Sequence, residues 1–350
     1  MIIALINDPN VESLYSFSKL PSNEYYTKDI IENYLIKILN KIGYEVKFFY
    51  VNFNNYKQIL STLKKDDIVL NLCDGTEENN DIGISLIREM ERLNIKFTGA
   101  KEKFYDISTS KTVMKKYFIE NNVKTAKYWH LKLKEKINFQ EITNYPLFVK
   151  PNNFYNSLGI NEHAIVHNEE ELKTQLKYIE SLDIYDVIVE EYLDGAEYTV
   201  LITDKKIYPA CERMFNNCNF RINDYYDTHL LDENEPLSKQ LCELALQAHK
   251  AVFGNSYSRV DIRMKNNIPY VLEVNANPGI GPDLSGTNTS IMKILHGYAK
   301  QKKVSDIEKQ RCCFPSARDA RHEPDISTHY RSFQCPETEV ESEFYKNLLC

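Results

Sequence analysis

The sequence predicts an α/β protein, on three observations. Over the first hundred residues short apolar runs alternate with amphipathic helical segments, as a parallel sheet with crossover helices requires. From Gly99 onward the pattern changes to paired strands around turn signals, an α+β arrangement. A chain of 350 residues with 43% hydrophobic content also exceeds what one compact layer needs, so two or three domains are expected.

Residues 2–6 read as a buried first strand, because the apolar run is short, lacks a basic flank and meets a turn signal at Asp8-Pro9. Ile30, Ile31, Tyr34, Leu35, Ile38, Leu39 and Ile42 then recur at helical spacing, with Gly43 as the C-cap. Strands follow at 45–51 and 67–72 and a helix at 82–93, closing a first domain over 1–98. The next domain, 99–185, carries a helix near 109–121, strands near 126–130 and 146–150, and a polar loop over 151–157. Asn168 ahead of Glu169, Glu170 and Glu171 reads as a helix N-cap with an acidic first turn, not as a metal site. A third domain, 186–300, holds strands near 186–192 and 196–203 about Gly195, a helix over 236–253, and strands near 256–264 and 268–275. Beyond 301 periodicity is lost and Pro315, Pro324 and Pro336 appear, so 301–350 is expected to be a loosely ordered extension.

The formal charge of -7, with Lys64-Lys65, Lys115-Lys116 and Lys302-Lys303 as isolated basic pairs, argues against nucleic acid and for a small-molecule substrate. No run approaches the roughly twenty apolar residues of a membrane helix, so a soluble, cytoplasmic protein is expected. Eight cysteines without a Cys-x-x-Cys pair are expected to be free thiols. His322 and His329 lie near Cys312, Cys313 and Cys335, but the spacings match no familiar zinc pattern.

The most informative segment runs from Arg259-Val260-Asp261-Ile262-Arg263 through a Lys265-Asn266-Asn267 turn to Tyr270-Val271-Leu272-Glu273-Val274-Asn275-Ala276-Asn277-Pro278-Gly279. It reads as a hairpin. With residue 264 facing 268 across a three-residue turn, Arg259 falls opposite Glu273 and Asp261 opposite Val271, and Asn275 joins the same face. Two carboxylates, an amide and a guanidinium on one face suit an oxygen-liganded magnesium ion holding triphosphate oxygens. On geometry alone the same face could equally be a solvated surface of ion pairs.

These segments resemble the signature near the end of D-alanine:D-alanine ligases and related ATP-grasp carboxylate–amine ligases. Upstream, Tyr145-Pro146-Leu147-Phe148-Val149-Lys150-Pro151, the run from Val189 to Val200, and Thr98-Gly99-Ala100 before Ser108-Thr109-Ser110-Lys111 occur in family order. The resemblance covers roughly residues 1–300 and implies an ATP-grasp fold with an N-terminal Rossmann-like domain and two subdomains clasping ATP. It implies Lys111 and Lys150 at the ATP phosphates, Glu190 at the adenine amine, the backbone of Glu191, Tyr192 and Leu193 at the adenine edge, and Glu197 at the ribose. By the same resemblance Asp261, Glu273 and Asn275 coordinate magnesium or manganese, Arg259 stabilises the acyl phosphate, and Lys150 and Ser157 join it in catalysis. The activity implied is ATP-dependent carbon–nitrogen ligation of an amino acid or small peptide, in a chain that resembles homodimeric relatives.

The sequence departs from the family's pattern at several places. The loop after Lys150 carries Tyr155 where dipeptide ligases have glycine, and Asn71-Leu72-Cys73-Asp74-Gly75 replaces the family's His-Gly segment. Tyr225, Tyr226 and Asp227 stand in the stretch of the Tyr-Lys loop without the lysine. D-Alanine is therefore not singled out as the substrate. The alternative is a nucleotide-binding regulatory or scaffold protein of the same fold. Ser108-x-x-Lys111 also fits the pattern of penicillin-binding acyl enzymes, but no Lys-Thr-Gly partner exists.

Overall fold

A computed structural model describes residues 1–8, 10–11, 28–154, 159–215, 226–281, 290–312 and 336–349. Three strands, β1 (Ile2–Asn7), β2 (Val46–Val51) and β3 (Ile68–Asn71), form a parallel sheet in the order β2-β1-β3. The sheet is connected by α1 (Lys28–Lys41) and α2 (Tyr56–Ser61) and followed by α3 (Gly83–Arg92). Strand alternation explains why both of its faces are covered. Ile3 and Leu5 point into a core shared with α3, whereas Ile2 and Ala4 point into a second core with Leu35, Ile38 and Leu39 of α1.

Two short helices, α4 (Glu102–Ser108) and α5 (Lys111–Glu120), lead into a four-stranded antiparallel sheet. It is built from β4 (Tyr128–Lys132), β5 (Leu147–Pro151), β6 (Ile165–Val166) and β7 (Asp186–Glu191), in the order β4-β7-β5-β6. α6 (Glu169–Glu180) packs Leu172, Leu176 and Ile179 beneath it. The N-cap expected at Asn168 is present: its side chain accepts from the Glu171 amide at 2.9 Å, and Glu171 reaches back to the His167 amide at 2.8 Å.

A five-stranded antiparallel sheet completes the molecule, with β8 (Glu197–Ile202), β9 (Cys211–Phe215), β10 (Tyr226–Leu230), β11 (Ser258–Lys265) and β12 (Ile268–Ala276) in the order β10-β9-β8-β11-β12. α7 (Pro236–Ala251) covers one face, and Tyr198, Val200, Val260 and Ile262 bury against Leu241, Ala245 and Ala248. The opposite face carries polar side chains, among them Glu197, Thr199, Arg259 and Asp261, beside Leu201 and Cys211 of the second core. At the edge of this core His249 shares a hydrogen bond with Ser258 Oγ at 2.8 Å, and burial, with Lys250 beside it, pushes its imidazole down to about 4. The folded state thus refuses a proton that the unfolded chain takes up below its ordinary value of 6.5. Stability from this site is full above that value, falls as the pH drops towards 4 and is level below it, a loss of about 3 kcal/mol. Urea midpoints across this window for the wild type and His249→Gln check it, and an identical slope in both would refute it.

The last helices differ from the sequence-based expectation. α8 (Ser290–Cys312) runs past residue 301, and α9 (Pro336–Leu349) is a packed element rather than loose chain. Phe344, Tyr345 and Leu349 bury among Ile2, Ala4, Leu35 and Leu295. Tyr345 donates to the Ile280 carbonyl at 2.7 Å, and His296 of α8 bonds to Glu341 of α9. The aromatic and leucine spacing of 344–349 supplies the helical face that the prolines and charges upstream conceal. His322, His329, Cys313 and Cys335, whose spacings match no familiar zinc pattern, lie outside the described residues, as does the side chain of Cys312. Among the described residues Cys73, Cys211 and Cys242 are free thiols, and no helix is long and apolar enough to cross a membrane.

Candidate active site

The β11–β12 hairpin differs from its predicted register, and the difference improves the site. Asn266 and Asn267 both take positive φ, 49° and 60°, which makes a two-residue turn with Lys265 opposite Ile268. A bulge between Asp261 and Ile262 then shifts the register. Asp261 consequently faces Glu273, and Arg259 faces Asn275, instead of the predicted Arg259–Glu273 and Asp261–Val271 pairs. The four side chains still share one face, now as two directly opposed pairs.

Neighbouring strands extend that face. Thr199 of β8 pairs with Asp261, Glu197 with Arg263, and Arg213 of β9 with Glu197. Asp261 is buried and accepts from Thr199 Oγ1 at 2.9 Å, Asn275 Nδ2 at 3.1 Å, Arg213 at 3.4 Å and Arg259, whose Nη2 is 2.8 Å away. Burial alone would push this carboxyl up, but the Arg213 and Arg259 guanidiniums hold it below the ordinary range. Glu197 lies 2.9 Å from Arg213 Nη1 and 3.8 Å from Arg263 Nη1.

Facing this surface is a second buried cluster, carried by α5 and the four-stranded sheet. Lys150 Nζ is 2.5 Å from Glu190 Oε1, and Lys115 Nζ is 3.0 Å from Glu190 Oε2. Lys111 donates to the Phe154 carbonyl at 2.6 Å and lies 3.7 Å from Glu273, which joins the two clusters. Burial raises the carboxyl of Glu190, yet Lys115 and Lys150 outweigh it and bring it to about 2. The same burial lowers Lys111 and Lys115. Among the described residues three ammoniums stand against Glu190 and Glu273, and three guanidiniums against Glu197 and Asp261, so each half carries one positive charge in excess. An electropositive, desolvated cleft of this kind suits a polyphosphate.

Of the residues singled out from sequence, Lys111, Lys150, Glu190, Glu197, Arg259, Asp261, Glu273 and Asn275 converge on this cleft. Glu191 leaves it to pair with Lys265 at 2.6 Å, and Tyr192 stacks beneath Arg263, 5.5 Å from its guanidinium carbon. The amides of Glu191 and Tyr192 are bonded to the carbonyls of Lys127 and Pro146, at 2.8 and 3.2 Å. Leu193 is buried, and its amide has no acceptor among the described residues. Ser157 and Tyr155 fall outside the described residues, as do Tyr225 and the side chains of Tyr226 and Asp227. Sequence reasoning missed Lys115 and Arg213. Lys115 stands four residues after Lys111 on one helical face, a signal obscured by reading Lys115-Lys116 as a surface doublet.

Gly99 ties the first sheet's exit loop to the hairpin. Its φ is +97°, and a Cβ there would sit 2.5 Å from Asn277 Oδ1, the atom that accepts from the Ala100 amide at 2.6 Å. The Thr98-Gly99-Ala100 motif thus brings its loop edge to edge with the residues that follow β12.

A parallel sheet followed by two antiparallel sheets that meet at buried lysines and paired carboxylates is the arrangement expected of an ATP-grasp ligase. A family profile described as the D-ala D-ala ligase C-terminus matches residues 118–293. D-alanine–D-alanine ligase A of Clostridium perfringens (strain 13 / Type A) is 31% identical over 278 residues, which is 75% of this chain and 89% of that protein. The chain belongs to the D-alanine–D-alanine ligase family. Solved structures share the fold. The Bacillus anthracis D-alanine–D-alanine ligase complexed with ATP superimposes with a TM-score of 0.62 at 24% identity, over 87% of this chain and 99% of that one. The VanG D-Ala:D-Ser ligase of Enterococcus faecalis gives 0.61 at 18% identity, over 85% and 94%.

Proposed function

We propose that this protein uses ATP to join two small amino acids, with D-alanine in at least one position, through an acyl phosphate. The observation that carries the reading is the meeting of Lys111, Lys115, Lys150 and Glu190 with Arg259, Asp261 and Glu273 across one cleft, bridged by the Lys111–Glu273 contact of 3.7 Å. The relatives named for D-alanine ligation support the substrate, and the ATP complex of the B. anthracis enzyme supports the nucleotide.

In this reading Lys111 and Lys150 hold phosphate oxygens, Glu190 accepts from the adenine amine, the Leu193 amide meets the adenine edge and Glu197 takes the ribose hydroxyls. Ser157, which lies outside the described residues, is assigned to the phosphates by family resemblance. Asp261, Glu273 and Asn275 offer oxygen donors only, which fits a hard divalent cation such as magnesium or manganese. Among the described residues no three His, Cys, Asp or Glu side chains cluster, so two carboxylates and an amide would share such an ion with the nucleotide. When bound, the cation neutralises phosphate charge. A substrate carboxylate attacks the γ-phosphorus, the bond to the β,γ-bridging oxygen breaks and ADP departs, and Arg259 stabilises the charge that moves onto the acyl phosphate. The second substrate's amine then attacks the acyl carbon, phosphate departs, and the amine nitrogen loses a proton to give the amide. The cleft keeps water from the acyl phosphate in the interval.

The expected result is release of ADP and phosphate that depends on D-alanine, with a dipeptide mass in the product. Pooled D- and L-amino acids in parallel reactions would reveal a different or mixed preference. Binding of ATP without amino-acid-dependent turnover would favour a nucleotide-holding protein instead.

A further inference from the structure

We infer that Lys115 is a positioning residue that keeps Glu190 ionised and aimed at the purine amine while Lys150 leaves that carboxylate to bind phosphate. This rests on the nucleotide reading above. The two lysines hold Glu190 in different ways. Lys115 is fully buried, donates to Thr125 Oγ1 at 2.6 Å, and Thr125 in turn donates to the Val271 carbonyl at 2.8 Å. Its ammonium is therefore anchored from the far side by groups that take no part in the site. Among the described residues Lys150 shows no such anchor: its ion pair is Glu190 Oε1 at 2.5 Å, its ammonium lies 5.6 Å from the Phe148 ring, and its remaining attraction is the longer-range field of Glu273 and Glu197.

A polyphosphate arriving between the two sheets competes with Glu190 for Lys150. Were Lys150 the sole countercharge, its departure would strand a buried carboxylate. With Lys115 fixed beneath it, Glu190 keeps a cation and frees Oε1. Its other oxygen, Oε2, lies at ion-pair distance from Lys115 but out of line for a hydrogen bond, and is buried. Glu190 thus presents acceptor capacity to a donor, which an amino group on the purine supplies and a ring carbonyl does not. Lys115 acts on nucleotide choice through Glu190 and touches no substrate.

The experiment compares kcat/KM for ATP with that for inosine triphosphate, whose carbonyl replaces the 6-amino group, in wild type, Lys115→Met, Lys115→Gln, Glu190→Gln and the Lys115→Met/Glu190→Gln pair. The wild type is expected to prefer ATP, and the preference to fall at least about tenfold in each single variant. Little further loss is expected in the pair, because both changes remove one interaction. Lys115→Gln keeps a donor for Thr125, so the comparison survives if Lys115→Met does not fold. Lysine variants that fold and keep the wild-type preference, or a pair whose losses multiply, overturn the role given to Lys115 while leaving the nucleotide site intact. Wild-type protein that binds no ATP by calorimetry overturns the nucleotide site itself, and the role of Lys115 with it.

Discussion

Replacing Glu273 by glutamine should lower kcat by about a hundredfold or more while leaving the thermal midpoint nearly unchanged. The side chain is 24% exposed, and among the described residues its ion pair is with Lys111 at the long distance of 3.7 Å, so the fold draws little from its charge. Glutamine preserves the shape and hydrogen bonding of the strand pair with Asp261 but removes half of the anionic charge offered to a cation. Turnover measured over a series of magnesium concentrations checks the assignment. Partial recovery at high magnesium is expected from weakened metal affinity, and wild-type turnover at ordinary magnesium would refute the metal role.

Arg259→Met should be more severe, with kcat reduced by about a hundred- to a thousandfold, the range seen when one donor to a developing oxyanion is lost. Arg259 grips both oxygens of Asp261, at 3.0 Å from Nε to Oδ1 and 2.8 Å from Nη2 to Oδ2, which fixes its planar head at the edge of the cleft. Asp261 would keep Thr199, Asn275 and Arg213, so the carboxylate stays partnered in the variant. The measurement is single-turnover phosphoryl transfer with excess enzyme. A step slowed in proportion to kcat places Arg259 at the chemistry, whereas a normal step with slow product release would remove it from there.

The fold was legible where one signal dominated. Alternating strands and capped helices named β1, β3, α6 and α7 from local pattern, and the β11–β12 hairpin announced its polar face. Its register was not legible, because the choice between a two- and a three-residue turn rests on whether Asn266 and Asn267 both accept positive φ, and the bulge that compensates leaves no mark in residue type. Lys115 and Arg213 escaped for a different reason. Each is an ordinary charged residue whose burial comes from tertiary packing, which no local period encodes. α9 was hidden by composition: charged residues on its exposed side outweighed the few apolar side chains that decide its fate.

That closing helix has a consequence for biogenesis. Phe344, Tyr345 and Leu349 of α9 pack with α1 and α8 in the core that also holds Ile2 and Ala4, so part of that core is closed only by a segment translated far later than β1 and α1. A polypeptide without α9 would leave part of the core around Leu35 open to chaperones and proteases, whereas one that carries it hides that surface. Closure of this core is thereby tied to the docking of α9.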